Sequence, residues 1–174
     1  MTDLVIIQTS LNKKSKTANV VEYVSKSLDK RKVSYEIIDL RDYNIEFCDG
    51  RDFKDYNIDM QKISKILEKA KVYILAFPVY NYSFSGACKN FVDIFSGFMD
   101  SKFIGLINNS GGIRSANEGT GELMKILGRH NNITTIQPVL NTCWFDFDED
   151  FNIKDKRTIE TIDLLINNVL SKIQ

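Results

Sequence analysis

The sequence predicts a doubly wound α/β domain: a three-layer sandwich around a five-stranded parallel sheet in the order 2-1-3-4-5. Two observations carry that expectation. Short apolar runs alternate with segments of helical periodicity along all 174 residues. The run KVYILAF, the most apolar short stretch of the chain, suits a central parallel strand covered on both faces. With 43% apolar residues and no low-complexity tract, the length fits one domain, residues 1–174, with a substantial core.

In order, DLVIIQT reads as a buried first strand, and TANVVEYVSKSLDK places Ala18, Val21, Val24 and Leu28 on one helical face. VSYEIIDL is a second strand. The long polar connection NIEFCDGRDFKDYN follows it, then a helix with Ile63, Ile66, Leu67 and Ala70 at helical spacing. KVYILAF is the third strand, expected to end at Pro78, and GACKNFVDIFSGF the third helix. KFIGLIN and NEGTGELMKILGRH supply the fourth strand and helix; Gly119 to Gly121 reads as an irregularity at the helix start. NITTIQPVL is the fifth strand, ended or bent at Pro138, and the last helix aligns Ile159, Ile162, Ile166, Val169 and Ile173. Right-handed crossovers between parallel strands put helices on both faces of the sheet.

Composition excludes several classes. Lys plus Arg and Asp plus Glu number 23 each, so no net charge favours nucleic acid or an anionic membrane. The N-terminus MTDLVIIQTS is too short in apolar character for a signal peptide, and no run is long enough to span a bilayer, so a cytoplasmic location is expected. Cys48, Cys88 and Cys143 are widely spaced with no histidine pair, which argues for reduced thiols over a disulfide framework or a zinc site. The single histidine, His130, lies near a helix end and reads as a capping residue.

In a doubly wound sheet, ligands bind beyond the carboxyl ends of the strands at the switch point, which directs attention to three loops. The first is QTSLNKKSKTAN. Ser10, Asn12, Ser15 and Thr17, with the free N–H groups of a helical first turn, could cradle a phosphate, and Lys13, Lys14 and Lys16 add positive charge; an ordinary N-cap with a solvated lysine patch is the alternative. The loop contains no glycine, hence neither a dinucleotide fingerprint nor a P-loop, and a terminal monophosphate suits it better than a pyrophosphate. The second is PVYNYSFSGACKN, where Tyr80, Asn81 and Tyr82 offer aromatic surface and amides to a flat polar ring, unless the tyrosines pack under the loop. The third is NNSGGIRSAN, whose Ser110, Gly111 and Gly112 permit close backbone approach. A polar, an aromatic and a glycine-rich loop at one sheet edge outline a mononucleotide with a planar head, and flavin mononucleotide (FMN) fits that outline.

At these residues the sequence resembles the NAD(P)H-dependent FMN reductase family of flavodoxin-like proteins. SLNKKSKT, Ser10 to Thr17, is similar to that family's phosphate loop, and PVYNYSFSGACKN is similar to its more specific ring-binding signature. The resemblance covers roughly the first hundred residues and reaches the Ser110 to Gly112 loop more weakly. It implies that Ser10, Asn12, Ser15, Lys16 and Thr17 hold the FMN phosphate, that Pro78, Val79, Tyr80, Asn81 and Tyr82 line the isoalloxazine, and that Ser110, Gly111 and Gly112 close its pyrimidine side. NADPH or NADH would be the co-substrate, and a flavin, quinone, azo compound or similar small molecule the electron acceptor; no side chain is assigned as catalytic, because the flavin carries the chemistry. Arg114 is a candidate for sensing the nicotinamide nucleotide's ribose.

Thr9 and Asn12 stand where the family usually has glycine and arginine, and Val79 where it has glutamate. The third helix carries an apolar arc, Ala87, Phe91, Ile94 and Phe98 beside Cys88, Val92, Phe95 and Met99, which reads as a homodimer or homotetramer interface or as a helix covered by its own chain. In such an assembly the Cys48 to Gly50 loop could reach a neighbouring site. The acids of DFDED, Asp146 to Asp150, lack the spacing of a calcium loop and read as a solvated turn. Two other functions remain open on sequence: a flavodoxin-like electron carrier, and a protein-binding module on the same fold.

Overall fold

A computed structural model describes residues 3–112, 115 and 117–173. The chain runs β1 (Leu4–Gln8), α1 (Lys16–Lys30), β2 (Tyr35–Asp39), α2 (Ile58–Lys69), β3 (Val72–Tyr80), β4 (Ser83–Phe84), α3 (Gly86–Phe95), β5 (Phe103–Ser110), α4 (Glu118–Asn131), β6 (Thr134–Cys143) and α5 (Lys156–Leu170). Strands β2-β1-β3-β5-β6 form the expected parallel sheet, the doubly wound order once β4 is set aside. The fold is flavodoxin-like.

Helix starts follow local chemistry. Ser15, Asn57, Ser85 and Asp155 sit in extended conformation before α1, α2, α3 and α5, and each side chain accepts a first-turn N–H that no helix carbonyl can reach. The helices then bury one stripe each. Val20, Val21, Val24 and Leu28 of α1 join Ile162, Leu165, Ile166 and Val169 of α5 on one sheet face. Met60, Ile63 and Leu67 of α2, Phe91 and Phe95 of α3, and Leu123 and Leu127 of α4 cover the other. Side chains of this kind stabilise the domain by roughly 1.5–3 kcal/mol each when fully buried. The middle strand β3 is buried from Val72 to Val79, as its uninterrupted apolar character requires.

Three sequence expectations need correction. The five parallel strands carry a short sixth that the sequence did not show, because β4 pairs antiparallel with the end of β3. Pro78 does not end the third strand: its carbonyl accepts from Ser85 N–H at 3.1 Å, and β3 continues to Tyr80. A proline lacks only the donor, and near a strand end that loss is tolerated. Gly119 is no mere irregularity of α4, since a Cβ there would lie 2.7 Å from Phe84 N and 2.8 Å from Ser83 C. It lets α4 press against the β3–β4 hairpin. Of the two readings of Pro138, the strand is not ended but made irregular there: β6 runs on to Cys143 with a register shift opposite Gly105 to Ile107.

The arc on α3 is largely covered by its own chain. Cys88, Phe91, Val92, Phe95 and Met99 are buried, and Phe53 from the long connection places its ring 4.7 Å from Phe98 and 5.9 Å from Phe95. Ala87, Ile94 and Phe98 keep part of their surface in solvent. The same connection is pinned to α3 by Asn90, which receives Cys48 N–H and donates to the Glu46 carbonyl.

Candidate functional site

A cleft of about 1150 Å³ opens at the carboxyl ends of β1, β3, β5 and β6. It gathers the residues that the resemblance assigns to FMN: Ser10, Asn12, Ser15, Lys16 and Thr17 beyond β1, Pro78, Val79 and Tyr80 at the end of β3 with Asn81 and Tyr82 beyond it, and Ser110 at the end of β5 with Gly111 and Gly112 beyond it; Lys13 is not among the lining. Asn109, Ser115, Trp144 and Phe145 complete the lining with Lys14.

The loop after β1 is braced from beneath. The buried Gln8 side chain accepts Ser10 N–H and donates to the Ser10 carbonyl at 3.0 Å and to Asp39 Oδ1 at 2.9 Å. Burial alone would raise the Asp39 carboxyl, but the Arg41 guanidinium and backbone N–H, with the Gln8 amide, outweigh it and hold Asp39 below the usual carboxylate range. Thr9 is fully buried, and both its N–H and its hydroxyl donate to the Ala76 carbonyl, so the residue replacing glycine fastens the loop to β3. Ser15 is an N-cap, accepting Ala18 N–H at 3.1 Å, and Thr17 is buried beside it. The N–H groups of Lys16 and Thr17, like those at any helix start, have no intrahelical acceptor, so the positive end of α1 faces the loop.

The ammonium of Lys16 lies over the rings of Phe147 and Phe151, 5.5 and 5.4 Å from their centroids, so from that position the residue offers the cleft its backbone N–H. Asn12 uses its side-chain oxygen on Lys14 N–H, shaping the turn.

The loop after β3 is a two-residue hairpin. Val79 faces Phe84 and Tyr80 faces Ser83 across it, and the turn residues Asn81 and Tyr82 have φ of 50° and 66°. Such a pair of left-handed residues matches the twist of the flanking strands, which favours asparagine at the first position. Tyrosine has no such excuse, since its Cβ crowds the carbonyl there at a cost of roughly 1–2 kcal/mol. Tyr80 and Tyr82 are 53% and 64% exposed, which rules out packing beneath the loop. Val79 points the other way, 6% exposed within the core cluster of Phe77, Phe84 and Cys88. An acid in that environment would be desolvated, so valine at this position is a packing residue.

Ser110, the last residue of β5, is buried and donates its hydroxyl to the Gly112 carbonyl at 2.7 Å, closing a tight loop. A Cβ at Gly111 or Gly112 would meet nothing within 4 Å, so packing within the chain does not call for glycine at either place. The bare backbone borders open cleft. Below it, Asn109 donates to Thr142 Oγ1 and Thr142 Oγ1 to the Asn108 carbonyl, tying β5 to β6.

Trp144 and Phe145 were missed by sequence reasoning. They follow β6 in a short 3-10 turn, each is 52% exposed, and their rings stack at 3.6 Å with an interplanar angle of 27°. The signal was two large aromatics directly after the last strand, at the sheet edge already marked as ligand-binding. The acids that follow serve the turn: Asp146 receives Cys143 N–H at 2.6 Å and the Thr158 hydroxyl at 3.2 Å, and Asp148 receives the N–H groups of Asp150 and Asn152. Among the described residues no cluster of His, Cys, Asp and Glu could hold a metal. Arg114 lies outside the described residues.

The cleft therefore joins an anion-receptive helix start to an apolar ring seat edged by free backbone. The model of the NADPH-dependent FMN reductase family matches residues 2–144. The chain belongs to that family. A relative described as an NAD(P)H-dependent FAD/FMN reductase, from Geobacillus thermodenitrificans (strain NG80-2), is 38% identical over 80 residues; the match spans 45% of this chain and 43% of the relative. Among solved structures, the apo form of an NADH:FMN oxidoreductase superposes with a TM-score of 0.77 at 18% identity, covering 99% of this chain and 90% of that one. The flavoenzyme NAD(P)H:(acceptor) oxidoreductase of Paracoccus denitrificans gives a TM-score of 0.76 at 16% identity over 99% of both chains. At those identities the likeness is one of fold.

The residues present fit the family's cofactor. A phosphate dianion needs convergent donors, and Ser10, Ser15 and Thr17 surround unsatisfied N–H groups at the start of α1. A flavin ring needs flat apolar contact with donors at its carbonyl edge, and the exposed tyrosines and uncluttered glycine backbone supply both.

Proposed function

We propose that the chain is an FMN-dependent NAD(P)H oxidoreductase acting on a small-molecule acceptor. The observation that carries this is the convergence of a phosphate-type loop, an exposed tyrosine hairpin and a bare glycine loop on one cleft. Bound FMN would supply the redox chemistry, taking a hydride from reduced nicotinamide and passing two electrons to a flavin, quinone, azo compound or similar acceptor.

The chain's own part is binding and orientation. Ser10, Asn12, Ser15 and Thr17, with the Lys16 N–H, fix the phosphate; Pro78, Tyr80, Asn81 and Tyr82 set the plane of the ring, with the Val79 side chain packed behind them; Ser110, Gly111 and Gly112 offer N–H groups to its carbonyl edge, where they bias its electron affinity. No side chain is asked to give or take a proton. We place the enzyme in the cytoplasm, with no nucleic-acid or membrane partner, a reading supported by its balanced charge. Homodimer or homotetramer formation is supported by the partly exposed Ala87, Ile94 and Phe98 edge of α3.

The test is anaerobic reduction of FMN-loaded protein. Either NADH or NADPH should bleach the oxidised flavin band at about 450 nm, and an acceptor should restore it. Protein that binds FMN yet is bleached by neither would be an electron carrier. Protein that takes up no FMN would favour a binding module.

A further inference from the structure

Two aromatic walls face the cleft, and they hang from opposite layers of the sandwich. The Tyr80 to Tyr82 hairpin rests on α4 at Gly119 and through Ser83, whose hydroxyl donates to Glu122 at 2.9 Å. Trp144 and Phe145 belong to a segment fastened to the other layer. Asp146 receives the Thr158 hydroxyl of α5, Phe147 is buried in the cluster of α1 and α5, and Asn19 of α1 donates to the Phe151 carbonyl at 3.1 Å. The turn bearing the stacked pair is thus anchored on both sides.

Large apolar side chains scattered singly on a surface need no explanation, but two stacked rings, each half exposed and held over a cleft, are a contact surface. The three loops that outline the cofactor come from β1, β3 and β5 and do not require this pair, because β6 lies one strand further out. There is room for more than one occupant: about 1150 Å³ exceeds the roughly 300–1,000 Å³ typical of small-molecule sites. We infer that the Trp144–Phe145 pair is the seat of a second planar, electron-poor aromatic ring, the ring that exchanges electrons with the site. A quinone-type acceptor and the oxidised nicotinamide ring left after hydride transfer share that chemistry. The inference rests on the flavin reading of the cleft and assigns the part of the site which that reading leaves unused.

Trp144 is the only tryptophan, so its emission reports on this wall alone. The experiment titrates 1,4-naphthoquinone and, separately, NADP⁺ into the protein with and without FMN, reading Trp144 emission and, by calorimetry, affinity; FMN retention is measured independently by equilibrium dialysis. Saturable quenching is expected in folded protein, beyond the collisional quenching seen after unfolding in urea. Trp144→Ala and Phe145→Ala should each weaken binding of the ring by about 2- to 10-fold, the range of one aromatic contact, while Trp144→Phe retains most of it. Loss confined to the quinone identifies the acceptor as occupant, loss confined to NADP⁺ the nicotinamide nucleotide, and loss of both a shared seat. Unchanged affinity for both in the alanine variants overturns the inference, as does release of FMN from Trp144→Ala, which would make the pair part of the cofactor's own seat. Wild-type protein that takes up no FMN defeats the flavin reading instead, and the titration without FMN still decides the platform.

Discussion

The two aromatic walls of the cleft are built by different means. Tyr80 and Tyr82 are presented by main-chain pairing, a hairpin only two residues deep on each side whose turn is forced into left-handed backbone. Trp144 and Phe145 are presented by a side chain, since one carboxylate, Asp146, takes a backbone N–H from one side of the turn and a helix hydroxyl from the other. A wall made of backbone depends on what lies behind it, here a helix that approaches closely because it has glycine. A wall made around a carboxylate leans most on that residue, with buried Phe147 and the Asn19–Phe151 hydrogen bond holding the chain beyond it. The difference predicts separate ways for each to fail.

The hairpin should fail most severely at its backing. Gly119→Ala puts a Cβ 2.7 Å from the Phe84 backbone nitrogen, which cannot yield as a side-chain end would. Overpacking of this kind costs about 1–3 kcal/mol, and we expect a lower Tm together with weaker FMN binding; native FMN affinity in that variant would show that the hairpin does not position the ring. The second wall should fail at Asp146→Ala, which loses two hydrogen bonds to a charged group and costs about 1.5–3 kcal/mol. Its signature is increased mobility of Trp144, read as a fall in fluorescence anisotropy, with FMN affinity nearly unchanged. Loss of FMN there would mean that the two walls are not independent.

Tyr80→Ala tests the face of the first wall without touching its frame. With the side chain 53% exposed, stability should hold while FMN affinity drops by about 2- to 10-fold, as for one aromatic contact. Unaltered affinity would make the tyrosine ornamental.

The smallest effect concerns the thiols at the foot of each wall. Cys88 is packed beneath the hairpin, where burial pushes its thiol up to about 12, and Cys143 precedes Trp144, where burial also raises it. Only the thiolate attacks an alkylating reagent, so both should resist labelling at pH 8 and gain reactivity as pH rises, while exposed Cys48 reacts first. Asp146→Ala should quicken Cys143 and leave Cys88 protected. Equal rates for all three would show that neither wall shields its base.

Much of this was legible in the sequence. Strand and helix order followed from local apolar periodicity, because that pattern is set within a few residues. That the three candidate loops would meet at one cleft was legible because a doubly wound sheet collects its loops at one edge. The hairpin strand β4 was not, since two paired residues leave no periodic trace. Pro78 misled because a proline usually ends a strand, whereas here its carbonyl still found Ser85. Gly119 was misjudged because its meaning depends on neighbours thirty or more residues distant, and the packing of Val79 depends on the core behind the strand.

The sequence by itself determined the sheet, its order and the three loops that meet above it, because hydrophobic period, capping chemistry and the handedness of crossovers act locally and leave few topologies. Only the tertiary structure decided which side chains face the cleft. It turned Val79 inward and Tyr80 outward, laid the Lys16 ammonium over Phe147 and Phe151, and brought Trp144 and Phe145 to the far wall. Those outcomes depend on contacts between distant segments, and such contacts exist only once the layers have packed.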